Sequence, residues 1–550
     1  MMIKMLVRDS RVKPWLEFGL LALIICLPLF RPGYILSLDL VFTPHLPWPT
    51  AITNTYPLDS LLWLLSHIVS GETVEKVILF SSLLFSGVGM YGFIKNLPHA
   101  DSLQKTWRLA AYVSAIFYMI NPFIYARFMA GQWMVLLGYA LLPFFLRALL
   151  RFFTTPSAQS MLKLFGWTMA VCIVSLHHIG MLAVLVVIFG VAYIAQNRQN
   201  KPILQAYVKW GSIGGVLVLV ANLYWLIPLL LQKSTIFAAA TNFTASHFQA
   251  FATTAGSLGT IGEVIRLQGF WAEDRQLFIL PQQIVPLWGI IVAVFWAILI
   301  YGAVMSWRKH RLLVGVGITC CVVGIFLSST SFIEWISHSF PLVAGYREPH
   351  KLVNLVVVGY CMLFTYGVAR FLYGIRSKSD TFRQIITIAI VALPIIITPT
   401  MFGGFAGQLI PRTYPAEWTS MNNRLKEYNT ITQVLFLPWH HYASYSFSKR
   451  IIANPAEKFF EVPMLASDNP EFKNISATIP NKNKQHITLG LQHPSKFSEA
   501  LHEAKISHIL LAKEQDWHDY LKIIPPSAKL IVEDTKFQLY EVKGTYATTQ

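Results

Sequence analysis

Four ionisable residues lie close together in the stretch GYREPHKLVN, namely Arg347, Glu348, His350 and Lys351. A long apolar run follows directly, so these charges stand where a helix would enter a membrane. Two cations at this depth are suited to hold an anion at the level of the lipid headgroups. A solvated loop with an internal ion pair is the alternative, but Pro349 at the helix start favours phosphate binding.

A second polar group interrupts the stretch NPFIYARFMAGQWMVLLGY between two apolar runs. Arg127 falls on the side that carries few other cations, and arginine is suited to two-point contacts with phosphate. An interfacial arginine paired with lipid headgroups or with the chain's own carboxylates is the alternative. We predict one substrate- and phosphate-binding group made of Arg127, Gln132, Arg347, Glu348, His350 and Lys351.

Asp39 is the only acidic residue of SLDLVFTPHLPWP, which follows the first apolar run. A carboxylate on the outer membrane surface is suited to act as a general base, although a turn or helix-capping aspartate explains the residue equally well. Further candidates for contacts with a sugar or an acceptor are His45, His178, Glu273 and Asp274. The neighbouring histidines 177 and 178 lack the cysteine or acidic partners of a metal site, which favours structural hydrogen bonds.

The elements that must position these residues are membrane helices. The chain has 550 residues, 54% of them hydrophobic and 13% charged, with a mean hydropathy of +0.50. A helix needs about 20 apolar residues to cross a bilayer, and many such runs are present. The net charge of +17 comes largely from basic residues that flank these runs on one alternating side. This pattern is typical of cytoplasmic loops and speaks against a nucleic-acid partner.

We predict about eleven spans, with the N-terminus in the cytoplasm because it carries Lys4, Arg8, Arg11 and Lys13. The first span is read as an uncleaved helix. Residues 32–57 form a first outer loop and residues 232–282 a large outer loop. The predicted spans are Trp15 to Leu29, Glu75 to Leu97, Trp107 to Arg127, Gln132 to Leu150, Met161 to Leu176, Ile179 to Ala195, Tyr207 to Leu231, Ile284 to Trp307, Leu312 to Ser328, Leu352 to Tyr373 and Ile385 to Met401.

The composition changes near residue 402, so we predict a transmembrane domain over residues 1–401 and a soluble α/β domain over residues 402–550. Strands are expected in TQVLFLPW and ISHILLAK, and a hairpin in AKLIVEDTKFQLYEV, with helices between them. By the parity of the spans this domain lies outside the cytoplasm. The five cysteines all lie in apolar segments and do not form a disulfide framework.

This layout resembles the GT-C superfamily of membrane glycosyltransferases, in which many spans precede an extracytoplasmic C-terminal domain. The stretches NPFIYARFMAGQWMVLLGYALLP and GYREPHKLVN resemble segments of its YfhO-like and mycobacterial arabinofuranosyltransferase-like branches. The tail segments ISHILLAKEQDWHDYL and FQLYEVK resemble them as well. The resemblance covers most of the chain, and it implies an α-helical polytopic protein of the plasma membrane.

The resemblance also implies a function. Such proteins take a sugar from a polyprenyl-phosphate donor, and the acidic residue of the first outer loop serves as general base, a role that falls on Asp39. Many members carry a second carboxylate in a DxD or ExD pattern, which SLDLV lacks; we therefore predict no metal and no other cofactor. The expected acceptor is an extracytoplasmic glycan, lipid or protein. A lipid-linked sugar flippase and a non-catalytic scaffold for envelope assembly are the alternatives.

Overall fold

The structure, a computed structural model, describes residues 12–234, 237, 240, 243, 245–428, 431–469 and 481–542. The basic residues Lys4, Arg8 and Arg11, on which the cytoplasmic N-terminus was predicted, lie outside this part of the chain. So do seven residues of the large outer loop.

The first three quarters of the chain are helical. Two short helices flank the first outer loop, and several more lie in the large outer loop. The helices are α1 (Lys13–Cys26), α2 (Tyr56–Ser66), α3 (Gly71–Ile94), α4 (Gln104–Met119), α5 (Pro122–Met129), α6 (Trp133–Thr154), α7 (Ala158–Cys172), α8 (Leu176–Gln196), α9 (Lys201–Ala221), α10 (Leu223–Leu230), α11 (Ala245–Phe251), α12 (Gly259–Ile265), α13 (Trp271–Asp274), α14 (Pro281–Ile284), α15 (Trp288–Ser329), α16 (Phe332–Ser337), α17 (Val353–Gly374), α18 (Asp380–Ile397) and α19 (Phe402–Ala406).

Nine helical segments of the described residues are long and apolar enough to cross a membrane, where about eleven spans were expected. They contain α1, α3, α4 with α5, α6, α8, α9, α15, α17 and α18. One difference is α7, which has 15 residues, fewer than the roughly 20 that usually cross a bilayer, although it connects the ends of α6 and α8 on opposite rims. The other lies in α15, which covers two of the predicted spans in one helix.

The helix α15 has 42 residues, about 63 Å at about 1.5 Å per residue, twice the thickness of a bilayer core. Its backbone leaves the helical conformation at His310. Before this kink, Phe295 stacks near Tyr360, with ring centroids 5.8 Å apart, and Gly302 lies against the backbone of Gly367. The first arm therefore runs in the same direction as α17.

The second arm runs the other way. Gly317 lies against Leu363, and Gly324 lies against Val356, so higher numbers on this arm meet lower numbers on α17. The chain thus doubles back at the basic cluster RKHR, and both predicted spans pack on α17. Because of this reversal, the single helix α15 contains two membrane crossings.

The helix ends form two rims of different charge. One rim contains the turns after α3, α6, α8 and α17 and the kink of α15. The Tyr366 hydroxyl donates to the Pro98 carbonyl at 2.8 Å, and the Tyr366 ring lies 5.3 Å from that of His310, so α17 contacts both the turn after α3 and the kink. Most of the flanking cations lie here, among them Lys95, Arg108, Arg147, Arg151, Arg198, Lys201, Arg308, Lys309, Arg311, Arg376 and Lys378. The opposite rim carries the soluble part of the chain, an arrangement that agrees with the positive-inside rule.

The soluble part is a small α/β unit. It contains α20 (Ala416–Glu427), β1 (Val434–Leu437), β2 (Tyr442–Ser444), β3 (Ile451–Ala453), α21 (Ala456–Phe459), β4 (Met464–Leu465), α22 (Lys482–Gln492), α23 (Phe497–Glu503), β5 (His508–Ala512), α24 (Trp517–Leu521), β6 (Lys529–Glu533) and β7 (Phe537–Glu541). The main sheet has the order β4-β1-β5-β7-β6, and β2 pairs with β3 in a separate ribbon. The strand β1 is parallel to β4 and β5, whereas β7 is antiparallel to both β5 and β6.

Alternation along β1 explains the two layers of this unit. Leu435 and Leu437 face α22 and α23 in one cluster, while Val434 and Phe436 face Trp418 and join the core that continues into the membrane helices. Successive residues of a strand point to opposite faces, so a strand buried on both sides is apolar throughout. The boundary predicted between residues 401 and 402 remains a prediction, because one apolar core spans it.

The close packing of α15 on α17 makes Gly302 a sensitive position. A Cβ there would overlap the backbone of Gly367 and the carbonyl of Leu363, so we expect Gly302→Ala to destabilise the protein by about 1–3 kcal/mol, as overpacking generally does. Gly315→Ala on the same helix is the matched control, since its Cβ would meet no atom within 4 Å. Thermal unfolding of the full chain in detergent measures both. Equal melting temperatures for the two variants would contradict this account of the hairpin.

Candidate functional site

The site begins at α5, a short helix between two membrane helices. The Asn121 side chain accepts a hydrogen bond from the Ile124 N–H at 3.2 Å, and Pro122 occupies the first helical position, so the sequence contains its own helix start. Arg127 lies in the last turn, where the helix dipole favours a cation. Its side chain is fully buried, at 0% exposure.

Arg127 connects three segments that are distant in sequence. Its Nη1 donates to Gln132 Oε1 at 2.7 Å and forms an ion pair with the Glu348 carboxylate. Its Nη2 donates to His350 Nδ1 at 2.5 Å, and His350 Nε2 donates to the Gln268 carbonyl at 3.0 Å. The two bonds together fix a neutral imidazole with its proton on Nε2, because Nδ1 must accept.

Glu348 is the centre of negative charge in this group. Its Oε2 lies 3.1 Å from Lys351 Nζ and 3.3 Å from the donor Gln132 Nε2. Burial alone would raise the pKa of this carboxyl, but the charges of Lys351 and Arg127 outweigh it and hold the pKa well below the usual range. Lys351 Nζ also reaches His177 Nε2 at 2.9 Å. One carboxylate therefore compensates two buried cations.

The large outer loop closes over Arg127. The guanidinium carbon lies 4.2 Å from the ring centroid of Phe270 and 5.0 Å from that of Phe123, close enough for cation–π contacts. Glu273 follows on the same loop and accepts a hydrogen bond from the Gly269 N–H at 2.8 Å. Burial raises the pKa of Glu273 to about 8, so its carboxyl is mostly protonated at neutral pH.

Asp39 lies on a tight turn of the first outer loop. Ser37 and Leu40 exchange backbone hydrogen bonds of 3.2 and 2.8 Å, and the Ser37 hydroxyl donates to the Met129 carbonyl at 2.6 Å. The turn lies directly on Gly131, whose φ is +67° and where a Cβ would overlap the turn. Gly131, which links α5 to α6, therefore allows Asp39 to approach the arginine group, that is, Arg127 with its partners Gln132, Glu348 and His350.

The soluble part holds the same turn from the other side. The Leu38 N–H donates to the Ile451 carbonyl at 3.0 Å, and the Ala453 N–H donates to the Leu38 carbonyl at 2.8 Å, so the turn extends the ribbon of β2 and β3. The Tyr442 hydroxyl donates to Asp39 Oδ1 at 2.5 Å. Burial, together with the neighbouring Asp39 charge, raises the pKa of Tyr442 well above its usual value, which keeps the phenol protonated.

Further groups surround Asp39 within electrostatic range, among them Arg347, His441 and Lys458. Lys458 Nζ donates to the Val41 carbonyl at 3.3 Å. Many protein atoms surround the Lys458 amine, and this burial lowers its pKa. The residue nevertheless keeps accessible surface, so an anion could reach it. The structure thus gathers Asp39 and two cations at the junction of the helices and the soluble part.

Most of the predicted site residues belong to the arginine group or to the Asp39 group, which we define as Asp39, Tyr442, Arg347, His441 and Lys458. Three predicted residues lie apart from both groups. His45 is exposed on the first outer loop, where it lies near Glu461. Asp274 is exposed and lies beside Arg275. His178 is buried, with Nδ1 2.9 Å from the Ser175 hydroxyl and Nε2 3.2 Å from Asn354 Nδ2. Its geometry is that of a structural histidine.

The sequence did not indicate Lys458. It lies in the segment PAEKFF, which has no motif and ordinary spacing. The structure also places Tyr442 and His441 beside Asp39. Within the residues that the structure describes, no three His, Cys, Asp or Glu side chains are grouped closely enough to hold a metal ion.

Glu273→Gln should flatten the pH dependence of stability between about pH 4 and pH 8. An unfolded glutamate releases its proton near pH 4.3, whereas the folded group retains it to about pH 8. The unfolded state binds fewer protons across this window, so wild-type stability falls as the pH rises. Melting temperatures at pH 5 and pH 8 measure the difference, with the exposed Asp274→Asn as control. If the melting temperature of Glu273→Gln fell as much from pH 5 to pH 8 as that of the wild type, Glu273 could not be a buried neutral carboxyl.

Comparison with known proteins gives a family and a fold. The arabinofuranosyltransferase AftD from Mycobacteria matches 96% of this chain with a TM-score of 0.64 at 14% identity, but the chain spans only 40% of that protein's length. An oligosaccharyltransferase from Archaeoglobus fulgidus matches 92% of the chain and 70% of its own, with a TM-score of 0.48 at 12% identity. No curated protein matches the sequence. At this identity the likeness to AftD shows the fold alone, and that GT-C-like fold is the one that the sequence resemblance implied. A family model matches residues 68–434, about two thirds of the sequence, and the chain therefore belongs to DUF6541, a family of unknown function.

Proposed function

We propose that this protein is a membrane glycosyltransferase that moves a sugar from a polyprenyl-phosphate donor to an acceptor on the extracytoplasmic side. The GT-C architecture supports the class of enzyme. The observation that carries the proposal is the position of Asp39, whose carboxylate is held by the Tyr442 hydroxyl at 2.5 Å within electrostatic range of Arg347 and Lys458. A base beside cations is the arrangement that transfer from a lipid phosphate requires.

The reaction follows from these groups. An acceptor hydroxyl oxygen attacks the anomeric carbon and forms the new glycosidic bond. Asp39 takes the hydroxyl proton, while the bond from the anomeric carbon to the phosphate oxygen breaks. The lipid phosphate leaves with the bonding electrons, and nearby cations stabilise the charge that develops on it.

Arg347 and Lys458 are the cations that we assign to the phosphate. Both keep accessible side-chain surface, whereas Arg127 is enclosed by its partners. Lys351 lies one turn beyond Arg347 and is held by Glu348 at 3.1 Å. Burial lowers the pKa of Arg347, because the guanidinium has lost part of its hydration. An anion bound beside it would stabilise the positive charge again.

Tyr442 is a positioning residue in this proposal. Its hydroxyl donates to Asp39 and its high pKa excludes it as the base at neutral pH. The arginine group acts indirectly. Arg127 binds Glu348, while Gln132 and His350 hold Arg127 in place. Glu348 in turn holds Lys351 beside the phosphate position.

We further propose that the protein resides in the plasma membrane with the basic rim in the cytoplasm. The soluble part and Asp39 then lie on the extracytoplasmic side. A glycan, lipid or protein acceptor would reach Asp39 from that side, through the junction between the first outer loop and the ribbon of β2 and β3. The polyprenyl chain of the donor would remain in the bilayer beside the helices.

Asp39→Asn should reduce transfer by about 10²–10⁴-fold, the usual contribution of a general base, while donor binding is retained. Tyr442→Phe should lower kcat with little change in KM, because the base loses its orientation but no substrate contact. The measurement is transfer in membranes from a panel of radiolabelled polyprenyl-phosphate sugars. Asp380→Asn on the basic rim serves as the control. Undiminished transfer by Asp39→Asn would remove Asp39 from the mechanism.

Arg347→Gln and Lys458→Met should each raise the KM for the donor, by roughly tenfold for every 1.4 kcal/mol of lost phosphate binding. Lys529→Met, an exposed substitution on β6, controls for the change in net charge. Donor affinity is measured with the purified full chain and a fluorescent polyprenyl phosphate. Unchanged affinity in both variants would contradict the phosphate role of these cations.

The same assays separate the alternatives. If wild-type protein binds lipid-linked sugars but transfers none of them, a flippase or a non-catalytic scaffold explains the site better than a transferase. Movement of a labelled lipid-linked sugar across proteoliposomes then distinguishes those two functions.

A further inference from the structure

A separate cavity of about 240 Å³ lies next to the proposed site, between the large outer loop and the end of the α15 hairpin. One wall is formed by α11 and the loop after it, and another by the end of α15 and the start of α16. The third wall is Arg347 with Pro349. Arg347 therefore lines this cavity and also belongs to the Asp39 group.

The lining of this cavity is rich in hydroxyl groups whose protons are already engaged. The Thr253 hydroxyl donates to the Ser328 carbonyl at 2.5 Å. The hydroxyls of Ser329 and Thr330 donate to carbonyls one turn earlier in α15, at 2.6 and 2.8 Å. Each of these oxygens retains lone pairs, and Glu334 adds a carboxylate to the lining. The cavity therefore offers hydrogen-bond acceptors beside the donor groups of Arg347.

Two polar atoms of the lining residues have no hydrogen-bond partner within the part of the chain that the structure describes. They are Ser328 Oγ, in a side chain with 0% exposure, and Arg347 Nε. Both atoms are buried behind the cavity surface. A ligand with several hydroxyl groups would instead donate to the Ser329 and Thr330 hydroxyl oxygens, whose residues keep accessible surface.

We propose that this cavity is a sugar-binding subsite that holds one ring of the acceptor glycan beside the ring that reacts. Its volume lies below the range of about 300–1,000 Å³ that is usual for larger ligands, which suits a single sugar ring. Arg347 stacks on Phe243, with its guanidinium carbon 4.1 Å from the ring centroid, and so stands between the cavity and the Asp39 group. The substrate class, an acceptor of at least two sugars, rests on the proposed transferase function.

The test uses methyl pentofuranosides and methyl hexopyranosides as probes, with the purified full chain in detergent. Saturation-transfer NMR should show binding of at least one glycoside, and Ala252→Trp should weaken it by at least about tenfold, because Ala252 lines the cavity from its exposed edge. Ala255→Trp, exposed on the same loop but outside the cavity, is the matched control. Glu334→Gln provides a second variant that removes a charged acceptor without adding bulk.

The outcomes are separable from those of the transferase assay, since glycoside binding requires no donor. Loss of binding in Ala252→Trp and Glu334→Gln, with Ala255→Trp unaffected, supports the subsite even if no transfer is found. No binding of any glycoside up to its solubility limit overturns the subsite, even if transfer occurs. Equal binding of glycerol, the polyol of lipid headgroups, would assign the cavity to a lipid and likewise overturn the proposal.

Discussion

The buried ion pair of Arg127 and Glu348 is the interaction on which the outer half of the protein depends. A guanidinium at 0% exposure must be paired, because removing one partner of a buried ion pair is strongly destabilising, by about 3–5 kcal/mol. The pair joins α5 to the segment before α17, and His350 extends it to the large outer loop through the Gln268 carbonyl. Three regions that could otherwise move independently are thereby held in one arrangement.

A geometric requirement at Gly131 couples this group to the first outer loop. The turn that carries Asp39 can lie on the link between α5 and α6 only because Gly131 has no Cβ and adopts a positive φ. The ribbon of β2 and β3 then closes on the turn through backbone bonds to Leu38. The soluble unit is thus part of the site, since it supplies Tyr442 and Lys458 and fixes the loop between them.

The balance of charge around Asp39 is consistent with binding of an anion. Glu348 compensates Arg127 and Lys351, and the neutral carboxyl of Glu273 adds little negative charge near neutral pH. Arg347 and Lys458 remain near Asp39 without a close carboxylate partner among the ion pairs of the described residues. Two cations outside these ion pairs therefore lie beside Asp39, at the depth where a lipid phosphate would lie.

The sequence by itself determined the membrane helices, the basic rim and the elements of the small sheet. Lipid offers no hydrogen-bond partners to the backbone, so long apolar runs must be helices. Short apolar runs such as ISHILLAK, outside the membrane part, predict buried strands. The sequence also drew attention to Arg127 and Glu348, because charges are rare beside such runs. Only the tertiary structure decided that they pair with each other and that Tyr442 and Lys458 reach Asp39. Those contacts join residues up to some 400 positions apart, and a local pattern carries no information about which distant surface will pack against it.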